Sequence, residues 1–140
     1  MKVTMLLADA AQAVGGKLFI LGGGWSVIGP GPAPMAIAIK IDVPWDRTNV
    51  RHGWALDLVD QDGHPVAVPA PEGPRPVQIT GDFEVGRPAG LASGTPIDLP
   101  LAISVAPIPL PAGTRCVWQL SIDGRADPAW RVAFDVRPTA

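Results

Sequence analysis

The sequence predicts an all-β fold: a single antiparallel β-sandwich, immunoglobulin-like in its count of about eight to ten strands. Three observations carry this. Short stretches along the whole chain alternate apolar with polar residues at a period of two, as in Trp130, Val132, Phe134 and Val136 set against Arg131, Asp135 and Arg137. Gly (16) and Pro (17) fall between these stretches instead of gathering in a repeat, so they read as turns. No helical stripe reaches even about ten residues. A strand with one wet face must bury its dry face on a second sheet, which makes the sandwich the natural solution.

Taken in order, Val3–Ala11 and Lys17–Gly22 are extended runs joined through Gly15-Gly16, a dipeptide suited to a tight hairpin, and are expected to pair antiparallel. Leu6–Val14 is alanine-rich and is the best helical candidate, but its distance from Gly15-Gly16 and Phe19-Ile20-Leu21 makes it a strand. Gly22-Gly23-Gly24 continues or kinks the second strand towards Trp25 and Val27, and Gly29–Pro34 turns. Met35, Ile37, Ile39, Ile41 and Val43 share one face of a strand that Pro44 stops. Trp54, Leu56 and Leu58 align in His52–Val59, and Asp60–Gly63 turns the chain into Pro65–Val68 as a second hairpin. Ala70–Pro76 is a loop, Val77–Val85 alternates again, Gly86–Pro96 is a loop, and Ile97–Ala106 is a strand. Pro107, Pro109 and Pro111 remove the donors from one side of an extended segment, leaving an edge or a polyproline connector. Arg115–Ile122 and Trp130–Val136 close the chain as a hairpin about Asp123-Gly124.

Composition bounds the function. A chain of 140 residues is one domain, expected over 1–140, and buries roughly two thirds of its unfolded surface without help from disulfides or metal. Charged residues are 17% of the chain against a usual share of about 25%, so part of the surface is expected to be covered by a partner. A net charge of −2 without any basic run gives a phosphate backbone little to grip and excludes nucleic acid as a partner. No stretch approaches the roughly 20 apolar residues of a membrane span. Val3–Ala8, interrupted by Thr4 and ended by Asp9, falls short of the about 7 to 15 apolar residues of a signal peptide, and is read as a first strand. Cys116 is the only cysteine, so no internal disulfide forms and the expected compartment is the cytoplasm.

Ala8-Asp9-Ala10-Ala11, followed by Gly16-Lys17-Leu18-Phe19-Ile20-Leu21-Gly22, resembles the opening of a family of small uncharacterised bacterial proteins. These begin with an Ala-Asp-Tyr-Ala-like strand, a short turn, Gly-Lys-Leu and a Gly that leads into an aromatic. The likeness extends to Asp62-Gly63, Pro111-Ala112-Gly113 and Ile122-Asp123-Gly124; Ala10 stands where the family often has Tyr, and Arg115 or Cys116 where an aromatic is common. The resemblance implies a β-sandwich and supplies no activity, so no functional residue is carried over.

The reactive residues form no catalytic set. Asp57, Asp60, Asp62 and His64 crowd one turn, and Asp60-Gln61-Asp62-Gly63 is like half of a calcium loop, but Val66–Ala70 offers none of the missing oxygen ligands. His52, His64 and Cys116 supply at most three of zinc's nitrogen and sulfur ligands, and Cys116 shares the inward parity of Trp118, Leu120 and Ile122. Ser26, Ser93, Ser104 and Ser121 lie in no nucleophile elbow, and Gly22–Gly24 lacks the Lys-Ser/Thr of a phosphate loop. Of the five tryptophans, Trp54, Trp118 and Trp130 fit the core register. Trp25 and Trp45 lie at strand ends, where they either cap the core or offer rings to a partner or a sugar.

The expectation is therefore a chain that is not an enzyme and uses no cofactor or metal: a protein-interaction or assembly module that associates with itself or another protein. The alternative is a small-ligand or carbohydrate-binding domain that uses Trp25 and Trp45 with Asp46 and Arg47.

Overall fold

The computed structural model describes residues 1–139 and is all-β, with both main sheets curled into half-barrels. Strands β1 (Lys2–Val14), β2 (Lys17–Gly23), β4 (Met35–Val43) and β9 (Ile97–Val105) form a four-stranded sheet in the order β2-β1-β4-β9. Strands β3 (Val27–Ile28), β5 (His52–Asp60), β8 (Gln78–Phe83), β10 (Arg115–Ile122) and β11 (Arg125–Val136) form a five-stranded sheet in the order β3-β11-β10-β5-β8. A small ribbon pairs β6 (Ala67–Val68) with β7 (Arg75–Pro76).

The predicted hairpins are present. Gly15 and Gly16 have φ of 59° and 74°, conformations that an L side chain resists, and they return β2 onto β1 with Val14 opposite Lys17. The closing hairpin turns at Asp123 and Gly124, so β11 begins at Arg125, five residues before the alternation becomes legible at Trp130. The early part of β11 carries Asp127, Pro128 and Ala129, and the register slips between Gln119 and Ser121, so a β-bulge hides the strand from a period-two reading.

Three expectations are corrected. The sheets are not wholly antiparallel: after the three glycines the chain leaves the first sheet, and β3 joins β11 of the second in parallel, with Asp135 opposite Val27. The strand count among the described residues is eleven, because β3 and β7 are two-residue pieces in Gly- and Pro-rich connections, too short to alternate, and β6 keeps only Ala67–Val68 of the expected Pro65–Val68 arm. The second hairpin also shrinks to a single bridge between Val59 and Pro65. The residues between Val105 and Arg115 have no ladder partner, so the proline run is a connector, with Ile108 and Leu110 turned onto the core.

The core lies between the two main sheets. Leu7, Ile37, Ile39, Ile41 and Val43 meet Leu56, Leu58, Trp118, Leu120 and Phe134, all buried. Burying each such side chain contributes about 1.5–3 kcal/mol, which explains why the inward parity of these strands dominates the sequence. Ala36 and Ala38, on the other face of β4, are buried as well; Lys40 is the first exposed residue of that strand. Lys40 binds both Asp42 (2.9 Å) and Asp98 (3.0 Å), two carboxylates that the register sets directly opposite each other. Those two hydrogen bonds hold its ammonium above the usual lysine range.

Candidate functional site

Three of the four residues singled out in the sequence lie on one feature. Pro44 ends β4, and the chain makes a single 3-10 turn over Trp45–Arg47 before entering β5. Trp45 is half-buried against the core, with the Arg87 guanidinium 4.3 Å above its ring. Arg87 also donates to Thr48 Oγ1 and to the Trp45 carbonyl, both at 2.7 Å, so the exposed face of the indole is already occupied by a cation. Asp46 is exposed and, with Trp45, Pro44 and Asp42, lines a shallow cleft to which neither Arg47 nor Trp25 contributes. Trp25 sits on the link between β2 and β3 and packs edge-on against Phe134, with ring centroids 6.3 Å apart. The two rings therefore do not share a groove.

Arg47 turns to a different cluster, which sequence reasoning did not assemble. His52, at the start of β5, is 1% exposed and lies 5.1 Å from the Phe83 ring. Its Nε2 donates to the Arg47 carbonyl at 2.8 Å, and its Nδ1 meets Asp123 Oδ2 at 2.7 Å. Asp123 also accepts from the Gly53 amide (3.1 Å) and from the Arg47 guanidinium (3.2 Å). The His52 hydrogen bond holds the Asp123 carboxyl below the usual carboxylate range; burial opposes it, and the Gly53 amide and the His52 and Arg47 charges add to the lowering. The pair has the composition of an acid-base dyad but not the access: both ring nitrogens are engaged and the ring is sealed from solvent, so it clamps the 3-10 turn, β5 and the last hairpin together. Only the His-Asp pairing of residue types could have signalled it, and 71 residues separate the two in the chain.

Two further groups that the sequence singled out are likewise used internally. Asp60, Asp62 and His64 approach within 4.8 Å, but Asp60 Oδ1 accepts the amides of Asp62 (2.9 Å) and His64 (3.0 Å), an Asx turn that serves the backbone. Cys116 is buried, and that burial pushes its thiol up, away from the reactive thiolate.

Exposed large apolar side chains gather elsewhere. β1 pairs with β4 only as far as Ala8; beyond it, β1 and β2 continue as a two-stranded arm. Along this arm Val14 is 57% exposed, Phe19 57%, Ile20 41% and Leu21 71%. β2 is the outermost strand of its sheet, so its far edge also presents unpaired backbone groups.

These features define a class: a small all-β chain whose His52–Asp123 and Asp60–His64 clusters serve internal contacts and whose exposed large apolar side chains gather mainly on one edge hairpin. The chain belongs to the family of unknown function DUF6941, whose pattern matches residues 3–137. Comparison with curated proteins and with solved structures returned no match. No helix among the described residues is long and apolar enough to cross a membrane.

Proposed function

We propose that this chain is a non-catalytic assembly module that binds a second copy of itself through the β2 edge, on an immunoglobulin-like sandwich scaffold. The observation that carries the reading is the joint exposure of Phe19, Ile20 and Leu21 on an unpaired edge strand. Soluble sheets ordinarily blunt such an edge with charge, proline or a covering segment, and β2 has only Lys17. A second copy is favoured by the distribution of charge. In an antiparallel pair of β2 strands, Lys17 of each falls near the Gly22-Gly23 end of the other, where Asp9 lies against Gly22, so no like charges are opposed. Pairing would join two four-stranded sheets into one and cover the apolar arm of each copy.

Supporting the non-catalytic half, His52 and Asp123 are committed to each other and to the backbone, and Cys116 is buried. The cytoplasm suits a chain whose single cysteine is a free thiol, and the resemblance of Ala8–Ala11 and Gly16–Gly22 to the opening of small bacterial proteins suits a bacterial source.

Size-exclusion chromatography with light scattering tests the proposal. The expected result is a dimer or larger species at micromolar concentration, converted to monomer by Leu21→Lys with an unchanged circular dichroism spectrum. A clean monomer with no co-purifying partner, or an oligomer indifferent to Leu21→Lys, overturns it.

A further inference from the structure

The outer face of the five-stranded sheet carries a row of four polar side chains in register. Arg131 of β11 stands opposite Gln119 of β10, Gln119 opposite Asp57 of β5, and Asp57 opposite Gln78 of β8. The row floors one end of a groove of about 560 Å³, a size that accommodates a small ligand. Val59 and Val117 supply its apolar floor, while Pro65 and Pro76 stand among its lining.

The two charged members of the row are each tethered to an amide instead of to each other. Arg131 Nε donates to Gln119 Oε1 at 2.9 Å, which draws the guanidinium over β10. Gln119 is itself fixed, its Nε2 lying 3.0 Å from the carbonyls of Leu120, Asp127 and Trp130 around the β-bulge. At the other side Gln78 Nε2 donates to Asp57 Oδ1 at 2.7 Å, on the side away from Arg131. Arg131 makes no ion pair among the described residues, so its terminal nitrogens are held in place and uncommitted. A cation and an anion thus face one groove from alternate strands, whose backbones lie roughly 10 Å apart.

We propose that this groove binds a small zwitterion of the apolar amino-acid type. The carboxylate takes the Arg131 guanidinium, the ammonium takes the free oxygen of Asp57, and the aliphatic body lies on Val59 and Val117. A neutral amide tether positions Arg131 without cancelling its charge, so the cost of ordering that side chain is met before the ligand arrives. Asp57 disfavours a second carboxylate and sets the orientation. The groove lies on the opposite sheet from the β2 edge and does not depend on the assembly reading.

An NMR titration tests it, using leucine, 4-methylpentanoate, which lacks the ammonium, and isopentylamine, which lacks the carboxylate. Leucine is expected to shift the amides of Asp57–Val59 and Val117–Gln119 and to bind about tenfold more tightly than either single-charge analogue. Arg131→Gln is expected to reduce leucine to the level of isopentylamine, and Asp57→Asn to the level of 4-methylpentanoate, with Arg131→Lys intermediate. The Leu21→Lys chain is expected to bind leucine like the native one, which separates this site from self-association. Absence of leucine-dependent shifts at these amides, equal binding of all three probes, or indifference to both Arg131→Gln and Asp57→Asn overturns the proposal.

Discussion

Asp123 joins more of the chain than any other polar residue of its cluster. Held at φ 53° in the last hairpin turn, it accepts from His52, Gly53 and Arg47 at once. Because its carboxyl is held below the usual carboxylate range in the folded chain, it contributes stability that is present above the range in which an unfolded aspartate titrates. That contribution is lost as pH falls through the lower, folded value. Urea midpoints measured from about pH 6 down to about pH 3 should therefore fall, and Asp123→Asn should flatten that fall relative to the native chain. Asp123→Ala leaves Nδ1 of a buried imidazole unpaired and should cost about 1–3 kcal/mol of stability, read as a lowered urea midpoint. Little at this scale could be read from the sequence. Cys116 is identifiable as buried by parity, but His52, Arg47 and Asp123 come together through a 3-10 turn and a hairpin far apart in the chain. Trp45 and Arg47, adjacent on one 3-10 turn apart from Asp46, serve separate clusters for the same reason.

At the scale of elements, alternation with a Gly or Asp-Gly turn proved sufficient: β4 and β10 occupy the expected ranges, and the first and last hairpins close where their turn residues stand. Elements of two residues, and a strand disturbed by a bulge, leave no period to detect. Close backbone approach is another property that alternation does not encode. Gly81 of β8 lies directly opposite Trp54 of β5, and a Cβ there would stand 2.5 Å from Cζ2 of the indole. The missing side chain is what lets the ring lie across the neighbouring strand. Gly81→Val should displace Trp54 and cost about 1–3 kcal/mol, with a changed tryptophan near-ultraviolet circular dichroism signal as its signature. A neutral result would place the indole elsewhere.

For the whole molecule, two facing sheets around one apolar core follow from the inward parity of Ile37, Ile39, Leu56 and Trp118. The curl and the strand order do not, since β1 gives half its length to β4 and half to β2, and no local pattern marks the change of partner at Ala8. This division also sets the distribution of stability. Amides of β4, β5 and β10, flanked on both sides, should exchange slowly at any protein concentration. Outer-edge amides of β2 should exchange quickly in dilute solution and slowly at concentrations where copies associate; concentration-independent exchange at Phe19–Leu21 would contradict a shared edge. One further consequence follows from the sealed position of Cys116. Maleimide reagents should leave the native chain unmodified, so a cysteine introduced at the exposed turn residue Ser93, outside the β2 edge, would be the sole labelling handle, and spin labels or fluorophores placed there could report the spacing between copies without any background mutation.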